Sequence, residues 1–165
     1  MKYIMPIVCF FILGFVTNEV FFDRDDGRTD EDAFFNVRFV LKEELNGPSE
    51  ELKEVYDGEE EAALRQYKEE NVAMHVSEDF LSSYAFYDLV ERAYENGYTL
   101  ETGSMTIDKV EPDEGMYEAT VEVSYSKEDE SGTVNMEADL ETNQDGKVTD
   151  IEYSTYNELY RAIGE

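Results

Sequence analysis

Between Tyr117 and Tyr153 apolar and polar residues alternate. Tyr117, Ala119, Val121, Val123 and Tyr125 fall on one side of an extended chain, and Glu118, Thr120, Glu122, Ser124 and Ser126 on the other. Val134, Met136, Ala138 and Leu140 repeat the rule against Thr133, Asn135, Glu137, Asp139 and Glu141. Period two with one apolar side specifies a sheet with one buried face and one wet face. Taken with its flanks, the stretch from Ser104 to Tyr156 predicts four strands joined by tight connections, an antiparallel meander. Val148 is out of phase with Ile151 and Tyr153, which predicts a β-bulge near Thr149 and Asp150.

Upstream the period becomes helical. Phe34, Val37, Leu41 and Glu44 or Leu45 mark one stripe, widened by Phe35, Phe39 and Val40. Thr29 or Asp30 offers a cap, and Asn46, Gly47 and Pro48 offer a stop. So wide an arc predicts a helix embraced by a curved sheet. Ser49 to Tyr56 reads as a short helical turn, and Glu59 to Val72 as a helix with Ala63, Leu64 and Tyr67 on one side. Met74 to Leu81 reads as a loop dropping Met74, Val76, Phe80 and Leu81 into the core. A third helix is expected over Tyr84 to Asn96, through Tyr87, Val90 and Tyr94, with Gly97 as its stop. The fold class expected is therefore α+β, with about three helices packed on one face of a curved four-stranded antiparallel meander.

The N-terminus has a different character. Tyr3 to Val16 is an almost unbroken apolar run behind Lys2, and Val20, Phe21 and Phe22 come after a short polar step. Residues 1–22 are expected to be a signal or membrane anchor, 23–32 an acidic linker, and 33–165 the folded domain. An anchor is favoured over a cleaved signal because no A-x-A-like site is present; cleavage and secretion is the alternative. Lys2 and the free amino group favour the cytoplasmic side, which puts the domain outside. Cys9, the only cysteine, lies in this segment, so no disulfide is expected within the domain. Bulky Val8 directly before it argues against lipidation.

Charge narrows the choice of partners. The 165 residues hold 41 acids against 13 Lys and Arg, a formal charge of −28. Lys2 and Glu19 are the only charges up to Phe22 and cancel, so the excess belongs to the chain beyond Phe22. Nucleic acid is excluded as a partner, and anionic lipid is repelled. Periodicity this regular does not belong to a disordered chain, so the charge reads as a solvated surface.

Candidate chemistry is sparse. His75, the one histidine, stands near Glu78 and Asp79, residue types that serve as general base and acid. Glu141, Asn143, Asp145 and Glu152 are spaced like the ligands of a calcium loop around Gly146, but their flanks alternate like strands, and Asp145-Gly146 is a common hairpin turn. Tyr87, Tyr94, Tyr117, Tyr125 and Met136 are the candidates for lining a ligand cavity, against the reading that they fill the core. No phosphate-binding loop, zinc spacing or G-x-S-x-G elbow is present, and no cofactor is expected.

Helix, helix, loop, helix and a four-stranded meander, with "HVSEDFLSSY" from His75 to Tyr84 and the "DGKV" turn from Asp145 to Val148, resemble the NTF2-like, cystatin-like fold. The resemblance runs from about Thr29 to Tyr156 and is of the kind seen in small secreted or membrane-anchored Firmicutes domains. It implies a sheet curled around the first helix, with a cone-shaped cavity that holds ligands or active sites. It names no activity. The function expected is a membrane-anchored extracytoplasmic binding or protein-interaction module without catalysis. Its partners would be the membrane through residues 3–22 and an envelope protein or a small apolar ligand. A small cavity hydrolase or isomerase using His75 with Glu78 or Asp79 is the alternative.

Overall fold

The computed structural model describes residues 26–58, 61–110 and 115–164. The expected anchor and Cys9 lie outside them, as does the start of the expected linker. Four strands, β1 (Thr99–Lys109), β2 (Met116–Lys127), β3 (Glu130–Thr142) and β4 (Val148–Tyr153), pair antiparallel in the order β1-β2-β3-β4. The alternating faces are as expected: Val121, Val123, Met136 and Leu140 are fully buried, while Glu122, Glu137 and Asp139 are exposed. The expected bulge is present too. Glu141 pairs with Asp150 and Thr142 with Val148, leaving Thr149 unmatched. A second irregularity, at Gly103 and Ser104, separates the Thr102–Val123 pair from Met105–Val121. The first strand begins at Thr99, five residues before the expected Ser104, because Leu100 turns its side chain into the core.

The long helix α1 (Asp26–Leu45) starts inside the stretch expected to be linker, upstream of the expected cap. An Asp30–Lys109 ion pair at 2.9 Å ties its early turns to the end of β1. Val37, Val40, Leu41 and Leu45 are sealed in the core, and α1 reaches both edge strands, β1 and β4. The expected apolar arc is too wide. Phe34 and Phe35 face outward, 41% and 58% exposed, since the helix buries one stripe and those rings fall beside it. At the other end Gly47, with φ at 136°, lets the chain exchange two backbone hydrogen bonds with Leu100, at 2.9 and 2.7 Å.

The remaining helices are α2 (Glu50–Asp57), α3 (Glu61–Asn71), α4 (Glu78–Ser83), α5 (Asp88–Glu95) and α6 (Tyr156–Ala162), more than the three expected. The stretch expected to be a loop contains α4. Ser77 caps it by accepting the Phe80 amide at 3.3 Å, and Glu78 and Asp79 sit in its first turn, where negative charge is favoured. Tyr84 to Tyr87, expected to open the third helix, lie outside α5, held there by Glu44 of α1. The last helix, α6, has no counterpart among the expected elements. Its Leu159 and the adjoining Ile163 are fully buried, and Arg92 of α5 lies 3.6 Å over the Tyr160 ring while donating to the Tyr160 and Gly164 carbonyls. No helix among the described residues is long and apolar enough to cross a membrane.

Candidate functional site

The candidate acid–base set does not assemble. His75 Nδ1 is 2.8 Å from Asn36 Oδ1, and its ring lies against Phe39 with centroids 3.9 Å apart. Glu78 and Asp79 project from the first turn of α4 into solvent. Burial first, and then the Lys147 ammonium, hold the His75 pKa below the ordinary imidazole value. The ring packs against Phe39 and Phe35. Its backbone is also committed, because the His75 carbonyl accepts from Val148 N, and Ser77 N donates to the Val148 carbonyl.

The calcium-like spacing folds as a hairpin. Asn143 Oδ1 accepts from the amides of Asp145 and Lys147, both at 3.0 Å, so its oxygen closes the turn. Gly146, at φ 73°, presses on Ala33, where a side chain would come within 2.9 Å of backbone nitrogen. Asn36 donates to the Gly146 carbonyl at 2.9 Å. Glu141 stands opposite Asp150 and Glu152 opposite Asp139, all exposed. Among the described residues no three acids, histidines or cysteines are grouped to hold a metal ion.

The five cavity candidates are dispersed. Tyr117 and Met136 are packed in the core. Tyr94 donates to Asp57 at 2.6 Å and stacks on Tyr56, and Tyr125 meets Tyr98 edge-on at the far end of the sheet. Of the five, Tyr87 lines a cleft at the C-terminal end of α1.

Two acids in consecutive positions make the distinctive feature of the molecule. Glu44, in the last turn of α1, takes the core-facing place that its spacing from Leu41 dictates, and only 5% of it is exposed. Its carboxyl accepts the Tyr87 amide at 2.8 Å and the Tyr84 hydroxyl at 3.2 Å. Burial pushes its pKa up to about 7 against the opposing pull of those two bonds. Pinning the Tyr87 amide holds that residue left-handed, at φ 71°, which breaks the expected helix and delays α5 to Asp88. Charge on Glu44 also opposes ionisation of Tyr84 and Tyr153, whose pKa values burial already raises.

Glu43 faces the other way, into the cleft, which has a volume of about 540 Å³ and lies between the end of α1, the start of α2, α3 and β1. Tyr67 and Tyr87 form its inner wall, with rings edge to face 5.5 Å apart, and Ser49 bonds the Tyr67 hydroxyl at 3.2 Å. Tyr87 is 1% exposed, yet its hydroxyl has no hydrogen-bond partner. That hydroxyl is near enough to favour the charged form of Glu43, but no hydrogen bond of ordinary geometry joins them. Burial raises the Glu43 pKa, with Lys42 and Tyr87 pulling against it.

Sequence reasoning singled out Tyr87 but missed Glu43, Glu44, Ser49 and Tyr67. For Glu44 the signal was an acid on an apolar stripe. Tyr67 showed only as part of the apolar side of its helix, and Glu43 and Ser49 carried no signal, because helix ends brought together by folding leave no period. No family model, curated protein or solved structure matches the chain.

Proposed function

We propose that the chain is a membrane-anchored, extracytoplasmic domain of NTF2-like, cystatin-like architecture that binds a ligand without transforming it. The cleft at the end of α1 is its binding site. The cleft itself carries this reading: it has a volume of about 540 Å³ and joins a tyrosine wall, Tyr67 and Tyr87, to the polar groups of Glu43, Ser49 and Asn71. The anchor at residues 3–22 rests on the apolar run of the sequence, and the exposed rings of Phe34 and Phe35, midway along α1, with exposed Met74 beside His75, which packs against Phe35, suit a domain held close to a membrane.

Two measurements test the halves separately. Protease added to intact protoplasts is expected to remove the chain beyond Asp23, and protection of the domain would reverse the topology. Amide chemical shifts of the full chain in neutral detergent, monitored while fractionated envelope extract is added, are expected to move at Gly47, Tyr67 and Tyr87. Movement confined to other surfaces would place the site elsewhere.

A further inference from the structure

Resting on the proposed anchor at residues 3–22, we infer that the corner of the domain carrying Phe34, Phe35 and Met74 docks into the headgroup layer of the bilayer, so that α1 lies along the membrane surface. These are the large apolar side chains left exposed among the described residues, at 41%, 58% and 79%, and they stand together. The Phe35 ring lies 6.2 Å from that of Phe39 and 5.7 Å from that of His75, centroid to centroid, and Met74 adjoins His75 in the chain. Apolar residues scattered singly over a surface need no explanation, whereas a contiguous set does. The fold ties this set in place. Phe39 and His75 pack ring on ring, and Asn36 bonds both the His75 ring and the Gly146 carbonyl beneath it.

Charge and reach select lipid as the occupant. Helical spacing sets Arg38 and Lys42 on the outer face of α1 with Phe34 and Phe35, and all four are exposed. Among the described residues neither base makes an ion pair. Lys147 brings a further ammonium to the same corner, donating to the Ala73 carbonyl at 3.5 Å. In a chain of 41 acids and 13 Lys and Arg, bases gathered beside exposed rings run against the rest of the surface. Rings at headgroup level, with long bases reaching up to phosphate, are how a helix lies in the interface. Glu31, one turn before the rings, is left at the rim. A zwitterionic headgroup offers the phosphate without a net charge to repel the other faces. As for reach, the apolar run ends at Phe22, α1 begins at Asp26, and Phe34 follows about 12 Å along the helix axis. A second copy is the poorer occupant, because a two-fold contact would set Arg38 and Lys42 against their own counterparts.

The test places the full chain in phosphatidylcholine discs that carry a spin-labelled headgroup and reads the paramagnetic broadening of its amide signals. Broadening is expected at Phe34, Phe35, Arg38 and Met74, and none at Glu122 or Asp139 on the wet face of the sheet. Phe34→Ser combined with Phe35→Ser is expected to abolish it at Arg38 and Met74, and Arg38→Glu to weaken it, while the amides of the meander keep their positions and so report an intact fold. Broadening that survives the double change, or that stops short of Phe34, would make the domain a body on a tether and overturn the inference. So would broadening that follows protein concentration without the labelled lipid, which would give the corner to a second copy. If the chain does not enter the discs but labelled phosphatidylcholine vesicles broaden the same four amides, the anchor is wrong and the docking stands. Silence in both overturns the docking.

Discussion

Tyr87 and Tyr153 each bury a hydroxyl without a hydrogen-bond partner, so each is expected to be a stability defect that a phenylalanine repairs. Tyr87→Phe and Tyr153→Phe should each leave stability unchanged or raise it by up to about 1 kcal/mol in urea unfolding. A loss of similar size in either would mean that its hydroxyl has a partner after all. Glu44 makes a different prediction. Its carboxyl stays protonated in the fold up to about pH 7, whereas in the unfolded chain it ionises near its ordinary value of 4.5. Between those values folding takes up a proton. Its contribution is therefore fully present below 4.5 and is lost as pH rises to about 7. At about 1.4 kcal/mol per pH unit, that window is worth roughly 3 kcal/mol. Glu44→Gln, which keeps an acceptor for the Tyr87 amide, should flatten the stability profile across it. An unchanged slope would assign the dependence to the acidic surface as a whole.

Strands test more sharply than helices, because their side chains answer to one face or the other. Val121→Asp should cost about 3 kcal/mol or more by placing an unpaired carboxylate in the core, and Glu122→Lys beside it should change stability by about 0.5 kcal/mol or less. Similar losses from the two would mean that the faces of β2 are reversed. This meander was legible because strict alternation along β2 and β3 has one solution, and even the Thr149 bulge showed as a break in phase. Helix limits were legible only where local chemistry set them, as at Asn46, Gly47 and Pro48. The Tyr84 to Tyr87 segment has helical spacing but is held out of the helix by Glu44, from 40 residues or more away along the chain. At α4 the misreading ran the other way: part of the stretch read as a loop is a helix, capped by Ser77 and opened by Glu78 and Asp79. Period also failed to separate the exposed Phe34 and Phe35 from the buried Val37, since only a partner surface decides which part of an arc is covered. The helix α6 went unread, although Tyr156, Leu159 and Tyr160, with Ile163 at its cap, stand at helical spacing.

Taken whole, the chain repels itself. A formal charge of −28 on 165 residues opposes compaction, so added salt should raise the melting temperature. CaCl₂ and MgCl₂ at equal ionic strength should raise it equally, because the β3–β4 turn spends Asn143 on its own amides. A rise specific to calcium, abolished by Glu152→Gln, would restore that turn as a metal site.

Open sheets have two loose ends, and this one has part of each occupied. The Gly47–Leu100 exchange and the Asn46 bond to the Thr102 amide take up the early part of β1's outer side, before the Gly103 irregularity. Across the sheet, His75 and Ser77 clamp Val148 on β4. A second molecule seeking to add its own strand would find those backbone groups already taken and the ladder kinked beside them. The turns that frame the cleft and position His75 thus double as stoppers, guarding against polymerisation into fibrils where many copies crowd together.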